Sequence, residues 1–221
     1  MKLLKYTFWF LWKSWFYLLV LILILLWLPL LFILTARAEW YRSFYWVARN
    51  LWATPILYGM GFLPKIHREY TVPNDRHSYM LVANHYSMMD IMLMFYCSKN
   101  PFVFVGKKEL SKTLLFGYFY KRVAIMVDRK SPKSRKEVYA QAMERIKAGL
   151  SICIFPEGGV PDDESIVLDS FKDGAFRIAI ECQIPIVPMV FYDAKKRFPF
   201  RCFAGSMGVM RVDVLAPIYT Q

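Results

Sequence analysis

Histidine is scarce in this 221-residue chain: His67, His77 and His85 are the only three. The four cysteines, Cys97, Cys153, Cys182 and Cys202, are scattered, with no pair at zinc-ligand spacing. With the histidines dispersed as well, no metal site and no bound cofactor are expected. Three of the cysteines lie in apolar runs and read as reduced core residues of a cytoplasm-facing domain. Other chemistries are excluded by missing motifs. There is no G-x-S-x-G elbow for a serine nucleophile, and Gly205-Ser206-Met207-Gly208 does not supply one. Neither G-x-x-x-x-G-K-[ST] nor G-x-G-x-x-G occurs, so no nucleotide-cradling loop is expected. Internal repeats and low-complexity linkers are absent too.

Charge is missing from residues 16–35, and about twenty apolar residues suffice for a helix that crosses the hydrocarbon core. The run is too long for a cleaved signal peptide and has no convincing small-residue cleavage site. Pro29 falls inside it and is expected to kink the helix. Residues 39–63 form a second, aromatic segment with Trp40, Tyr41, Phe44, Tyr45, Trp46 and Trp52, interrupted by Arg42 and Arg49. Tryptophan, tyrosine and snorkelling arginine favour the headgroup zone, so this segment is expected to lie along the membrane. The pair could span and then lie flat, or form a hairpin dipping into one leaflet. Basic residues flank the first segment on both sides, and charge bias does not decide its orientation.

The formal charge is +12. Residues 1–59 carry six basic and one acidic residue, and residues 60–221 carry 23 and 16. Both parts are positive, which implies an anionic partner. The membrane segment makes lipid headgroups the leading choice; an acidic carrier protein also fits, whereas nucleic acid fits the charge and not the anchor.

After Pro64 short apolar runs alternate with amphipathic stretches. Strands are expected at 79–83, 102–105, 124–127, 151–155, 184–190 and 209–215. The clearest helix opens at Ser131-Pro132 and ends near Gly149, with Tyr139, Met143, Ile146 and Leu150 facing the sheet. Another is expected from about Phe171 to Cys182, with Phe171, Ala175, Ile178 and Cys182 on one face. Alternating strands and helices indicate an α/β fold: a mainly parallel sheet flanked by helices, preceded by a membrane helix and an interfacial helix. The expected division is 1–63 for the anchor and 64–221 for the sheet domain.

Asn84-His85-Tyr86-Ser87-Met88-Met89-Asp90 places an imidazole and a carboxylate five positions apart, after the first expected strand. Five residues of ideal helix turn through roughly 500°, so the two would not share a helix face. They meet if His85 lies in the loop and Asp90 in the first helical turn. Ser87 is a good N-cap and Asp90 completes a capping-box-like pair, so Asp90 reads equally as a plain cap and His85 as an ordinary loop histidine. A carboxylate on one ring nitrogen would make the other a better base. Three further stretches lie at strand ends: Gly106-Lys107-Lys108, Asp128-Arg129 and Phe155-Pro156-Glu157-Gly158. Arginine and lysine there can hold phosphate, and paired glycines permit close backbone approach. Solvated surface charge and a plain turn are the competing readings.

Taken together these blocks resemble the glycerolipid acyltransferase family, of the 1-acyl-glycerol-3-phosphate acyltransferase type. The resemblance covers roughly residues 64–215 and rests on four blocks in family order. His85 and Asp90 match an H-x-x-x-x-D box, and Lys107-Lys108 through Gly117 to Asp128-Arg129 a lysine-rich block. Phe155-Pro156-Glu157-Gly158 matches F-P-E-G, and Ile184 to Val190 a proline-rich apolar block. The resemblance implies a transfer of a fatty acyl group from an acyl-CoA or acyl-carrier-protein thioester to the free hydroxyl of a lysophospholipid. It implies His85 and Asp90 as the catalytic pair, and Lys107, Arg129, Glu157 and Gly158 as substrate-binding residues. The enzyme would sit on the cytoplasmic face of an inner membrane. The chain departs from the family where Gly159-Val160-Pro161 follows the glycine and relatives often have Thr-Arg-Ser. An anionic acceptor would then rest on Arg129 and the lysines, or the acceptor is a different lyso-lipid, such as a lyso-aminolipid. A non-catalytic lipid-binding protein is the remaining reading.

Overall fold

The computed structural model describes residues 2–114, 116–128, 130–161, 163 and 165–220. The uncharged run belongs to a longer helix than expected: α1 spans Lys2–Leu34 and contains Pro29 without ending there. At 1.5 Å per residue it is roughly 50 Å long. The aromatic segment forms helix α2 (Tyr41–Val47), a π-turn segment (Ala48–Ala53) and α3 (Thr54–Gly59). A π-turn frees carbonyls from their usual partners. Here Thr54 Oγ1 donates to Arg49 O at 2.7 Å and Trp27 Nε1 to Leu51 O at 3.1 Å. Gly61, at φ +77°, ends the helical run, a backbone angle that favours glycine.

The two helical segments are antiparallel. Along α1, Trp27, Trp15 and Trp12 donate their indole N–H groups to Leu51, Gly59 and Met60 in turn. One face of α1 is docked from end to end. Near its start Trp9 Nε1 donates to Gly205 O, Lys13 Nζ to Pro199 O, and Phe16 lies 5.0 Å from the Phe198 ring. Near its end Phe32 meets the rings of Tyr118 and Phe119. The opposite face leaves Leu4, Leu11, Leu18, Leu25 and Leu26 exposed. Residues Leu3–Leu34 are long and apolar enough to cross a membrane.

Among the described residues seven strands form one sheet in the order β1-β7-β6-β2-β5-β3-β4. They are β1 (Phe62–Arg68), β2 (Met80–Ala83), β3 (Phe102–Lys107), β4 (Ile125–Val127), β5 (Ser151–Ile154), β6 (Ile186–Phe191) and β7 (Gly208–Val214). All neighbours are parallel except β6 and β7. The six expected strands are present. β1 was not expected: Pro64 sits in it, and an edge strand tolerates proline. It starts at Phe62, so the aromatic helix stops earlier than residue 63.

The helices between strands are α4 (Met89–Cys97), α5 (Phe116–Val123), α6 (Pro132–Lys147), α7 (Gly174–Glu181) and the short α8 (Ala194–Arg197). Ser131 caps α6, its hydroxyl accepting the Ser134 N–H, with Pro132 next. The buried stripe of α6 is Val138 and Ala142, with Tyr139 and Ile146 only partly covered. Tyr139 and Ile146 pack against the core beside this stripe, and Leu150, just past the helix, is buried. Phe171 lies outside α7 and is half exposed, while Ala175, Ile178 and Ala179 face the core.

Candidate active site

β2 is buried along its length and ends at Ala83. Asn84 zips this end to β6: its Nδ2 donates to Phe191 O at 3.0 Å and its Oδ1 accepts Phe191 N–H at 2.8 Å. His85 follows in the loop, and α4 opens four residues later. Asp90, fully buried in the first turn, turns its Oδ2 back to His85 Nδ1 at 2.9 Å. The same oxygen accepts the backbone N–H groups of Tyr86 at 2.7 Å and Ser87 at 2.8 Å. Among the described residues Asp90 Oδ1 is buried without a hydrogen-bond partner. Capping and pairing are therefore one arrangement and not alternatives. Ser87 supports it: its hydroxyl accepts Met89 N–H and donates to Phe198 O.

With Nδ1–H directed to a carboxylate, Nε2 carries the free lone pair and is the nitrogen able to take a proton. The His85 ring stacks on Phe155, centroids 4.2 Å apart, with its side chain 20% exposed.

β2 and β5 are paired Val82 to Ile154. Three residues beyond each lie His85 and Glu157, so the register brings them level. Glu157 is buried; Oε1 accepts His85 N–H at 2.7 Å and Oε2 accepts Asp169 N–H at 2.9 Å. The side chain expected to touch substrate thus has both oxygens on the backbone of its own loops. Gly158 has φ +77°, and a Cβ there would stand 2.5 Å from Lys172 Nζ. Lys172 is drawn onto the turn by its own N–H, which donates to Pro156 O.

Lys107 ends β3 and is exposed. β3 is separated from β2 by β5, so Lys107 stands about two strand spacings, roughly 10 Å, from the strand of His85. Arg129 lies outside the described residues. Among the described residues no cluster of three or more His, Cys, Asp or Glu forms a metal site.

On the other flank, towards β6, a cleft of about 580 Å³ opens beside Tyr86. Val160, Asp163, Lys195, Phe200 and Arg201 are among its walls. Lys195 Nζ lies 4.7 Å from the Tyr86 ring centroid and donates to Ile166 O. Burial, then the nearby Glu157 carboxylate, push the Tyr86 hydroxyl up to about 12, so it stays protonated. Tyr86 and Lys195 carry no sequence signal of their own. Only the tertiary fold places Lys195 over Tyr86, the sequence neighbour of His85.

Residues 64–192 match the Acyltransferase family model, and the chain belongs to that family. Among its relatives, 1-acyl-sn-glycerol-3-phosphate acyltransferase BAT2, chloroplastic, from Brassica napus is 28% identical over 184 residues, 80% of this chain and 51% of that protein. The human 1-acyl-sn-glycerol-3-phosphate acyltransferase beta is 31% identical over 152 residues, 64% of this chain and 51% of that protein. The chain spans about half the length of the curated relatives it matches. The crystal structure of the 1-acyl-sn-glycerophosphate acyltransferase PlsC from Thermotoga maritima shares the fold, with a TM-score of 0.78 at 20% identity. That match covers 99% of this chain and 87% of the Thermotoga chain.

Proposed function

We propose that this protein transfers a fatty acyl group from a thioester to the free hydroxyl of a lysophospholipid, with 1-acyl-glycerol-3-phosphate as acceptor and phosphatidic acid as product. The observation that carries this reading is the 2.9 Å contact between His85 Nδ1 and Asp90 at the end of β2. It leaves Nε2 as a base at the mouth of the sheet, in a chain of this family. His85 Nε2 takes the proton of the acceptor hydroxyl as its oxygen attacks the thioester carbonyl. The tetrahedral intermediate collapses, the C–S bond breaks, and the thiolate leaves with the proton returned by the imidazolium. Asp90 holds the ring in one tautomer and stabilises its cation, and general base action of this kind is worth roughly 10²–10⁴ in rate. Glu157 acts as a positioning residue through the His85 backbone. Lys107 and Arg129 serve the anionic parts of the substrates, and Gly158 lets the turn close against Lys172.

Coenzyme A and acyl carrier protein both supply such a thioester, and the basic surface suits either. An in-plane anchor is supported by α1, which touches the sheet domain near both of its ends and leaves its other face apolar. The four free cysteines support a reducing compartment, hence the cytoplasmic face. Val160, where relatives often carry arginine, favours a different lyso-lipid as the second reading.

The test is a panel of lyso-lipids, including 1-acyl-glycerol-3-phosphate and lyso-aminolipids, each offered with acyl-CoA and with acyl carrier protein thioester. Preferred turnover of 1-acyl-glycerol-3-phosphate supports the proposal. Preference for an aminolipid moves the assignment to the second reading, and no transfer to any acceptor ends the enzyme reading.

A further inference from the structure

The crossover from β3 to β4 mixes cations with exposed apolar side chains. Residues 108–122 hold four cations, Lys108, Lys112, Lys121 and Arg122, and one acid, Glu109. All four cations are exposed, and among the described residues none pairs with a carboxylate. Between them Leu110, Leu114, Phe116 and Tyr118 are exposed too. Leu114 is 89% exposed, more than any other large apolar side chain described. Apolar surface rimmed by charge marks an interaction site. The segment is firmly built. A 3-10 turn (Lys108–Lys112) folds back on α5, where Gly117 N–H donates to Thr113 O at 2.8 Å and a Cβ on Gly117 would stand 2.4 Å from Ser111 O. On α5 itself Tyr118, Lys121 and Arg122 are spaced three and four apart and share a face, opposite the buried Phe119 and Tyr120. The Arg122 guanidinium lies 3.6 Å from the Tyr118 ring centroid, and its Nη1 donates to Tyr118 O. A cation laid on an aromatic ring suits the headgroup zone, with the ring towards hydrocarbon and the charge among phosphates.

Topology decides what this face meets. The connections β2 to β3 and β3 to β4 run one way along the sheet, and β4 to β5 and β5 to β6 run the other way. Right-handed crossovers therefore put α4 and α5 on one face and α6 and α7 on the opposite one. α4 packs against the π-turn segment and α3, so α5 is on the side of the N-terminal helices. Phe32, on the exposed side of α1, meets the rings of Tyr118 and Phe119 at 4.7 and 5.3 Å. The basic and aromatic face of α5 thus continues the apolar face of α1, and a bilayer that meets one meets the other. Arg37 over the Trp40 ring, at 5.2 Å, repeats the cation-on-ring pairing near the same end of α1. A soluble acidic partner would be held by the cations alone and would leave the adjoining face of α1 uncovered.

We propose that residues 108–122 are a second membrane-binding surface, in which Lys112, Lys121 and Arg122 hold the headgroups of an anionic bilayer while Leu114 and Tyr118 enter its interface. The proposal rests on α1 meeting a bilayer and stands apart from the acyl-transfer reading. The surface begins one residue after Lys107, at the end of β3, so its docking fixes the height of that sheet end above the lipid. The test uses the full chain, free of native cysteine, in nanodiscs of phosphatidylcholine alone or mixed with phosphatidylglycerol. A single cysteine at Leu114 or at Ile180, exposed on α7, carries an environment-sensitive nitrobenzoxadiazole label. In discs with phosphatidylglycerol the Leu114 label should shift to the blue and be quenched by spin-labelled lipid. The Ile180 label should stay in water on both discs.

Each cation near an anionic surface is worth roughly fivefold in binding, so Lys112→Gln, Lys121→Gln and Arg122→Gln together should lower the ratio of immersed to free segment roughly a hundredfold. Lipid quenching at Leu114 should then be lost. If the triple variant melts lower than the wild type, Lys112→Gln with Lys121→Gln, worth roughly 25-fold, replaces it, because neither side chain has a described partner. No step of the assay needs turnover, so an inactive protein gives the same reading. A Leu114 label that stays in water on both discs overturns the proposal. So does lipid quenching that is equal at Leu114 and Ile180, or equal on both discs and untouched by the charge variants. A label that leaves water only when acyl carrier protein is added would give the surface to the carrier and overturn it as well.

Discussion

The Asp90 oxygen that meets His85 Nδ1 at 2.9 Å also receives the backbone N–H groups of Tyr86 and Ser87. The loop that presents the imidazole and the helix that presents the carboxylate are thus closed by a single atom. A base built this way cannot drift from its partner without opening the helix start.

Replacing His85 by alanine should remove transfer activity while leaving the protein folded and membrane-bound. Asp90→Asn keeps an oxygen for the backbone donors and should reduce kcat by roughly 10²–10⁴, since the ring loses its anionic partner. Asp90→Ala should add a stability loss of about 1–3 kcal/mol, because two buried N–H groups lose their acceptor. Steady-state kinetics together with thermal unfolding separate the two effects. Full activity in His85→Ala would sink the assignment of the base.

Glu157→Gln offers one carbonyl oxygen where two backbone donors each need an acceptor. Either His85 N–H or Asp169 N–H then faces an amide NH₂. Stability should fall by about 1–3 kcal/mol, and kcat should fall with both KM values held. A change confined to an acceptor or donor KM would instead place Glu157 in contact with substrate.

Alanine at Gly158 must adopt φ +77° and displace the Lys172 ammonium. The left-handed angle alone costs roughly 1–2 kcal/mol. Urea or thermal unfolding should show a loss at least that large, and Lys172→Ala made in the same chain should relieve part of it. No recovery in the double variant would show that backbone strain is the whole effect.

Asp193 binds Arg211 through both oxygens, at 2.8 and 2.9 Å, and accepts its backbone N–H. The Arg211 guanidinium, opposed by partial burial, holds the Asp193 carboxyl below its ordinary value of 3.8. A depressed carboxylate contributes stability above its unfolded value and loses it as pH falls through the folded one. Asp193→Asn should therefore melt lower than the wild type near neutral pH, and the gap should close as the pH is taken below 3.8. A gap independent of pH would exclude the ion pair as its source.

Cysteines placed singly at Leu4 and Ala38, in a chain otherwise free of cysteine, test how α1 meets the bilayer. If α1 lies in the plane, a membrane-impermeant maleimide should reach both from the side that holds the sheet domain. Labelling of the two positions from opposite sides would mean that α1 spans.

Several features were legible before any coordinates, each for a local reason. The central strands β2 and β5 showed as apolar runs, because parallel strands inside a sheet are buried on both faces. The His85–Asp90 pair could be anticipated because five residues separate it and a helix start fixes their geometry. On α6 the expected Tyr139 and Ile146 pack against the core, but the deepest residues are Val138 and Ala142, one position away, because helical spacing fixes a face and not its centre. The strand β1 was hidden by Pro64, which an edge position accommodates.

By itself the sequence determined the apolar helix, the alternation of strands and helices, and the short spacing that lets His85 and Asp90 meet, since each is written within a few residues or a repeating period. Tertiary structure alone decided that Glu157 clamps the His85 backbone, that α1 docks along the sheet domain, and that Lys195 stands over Tyr86. Those contacts join residues 72 and 109 positions apart, or distant segments, and they depend on strand order and register, which no local pattern encodes.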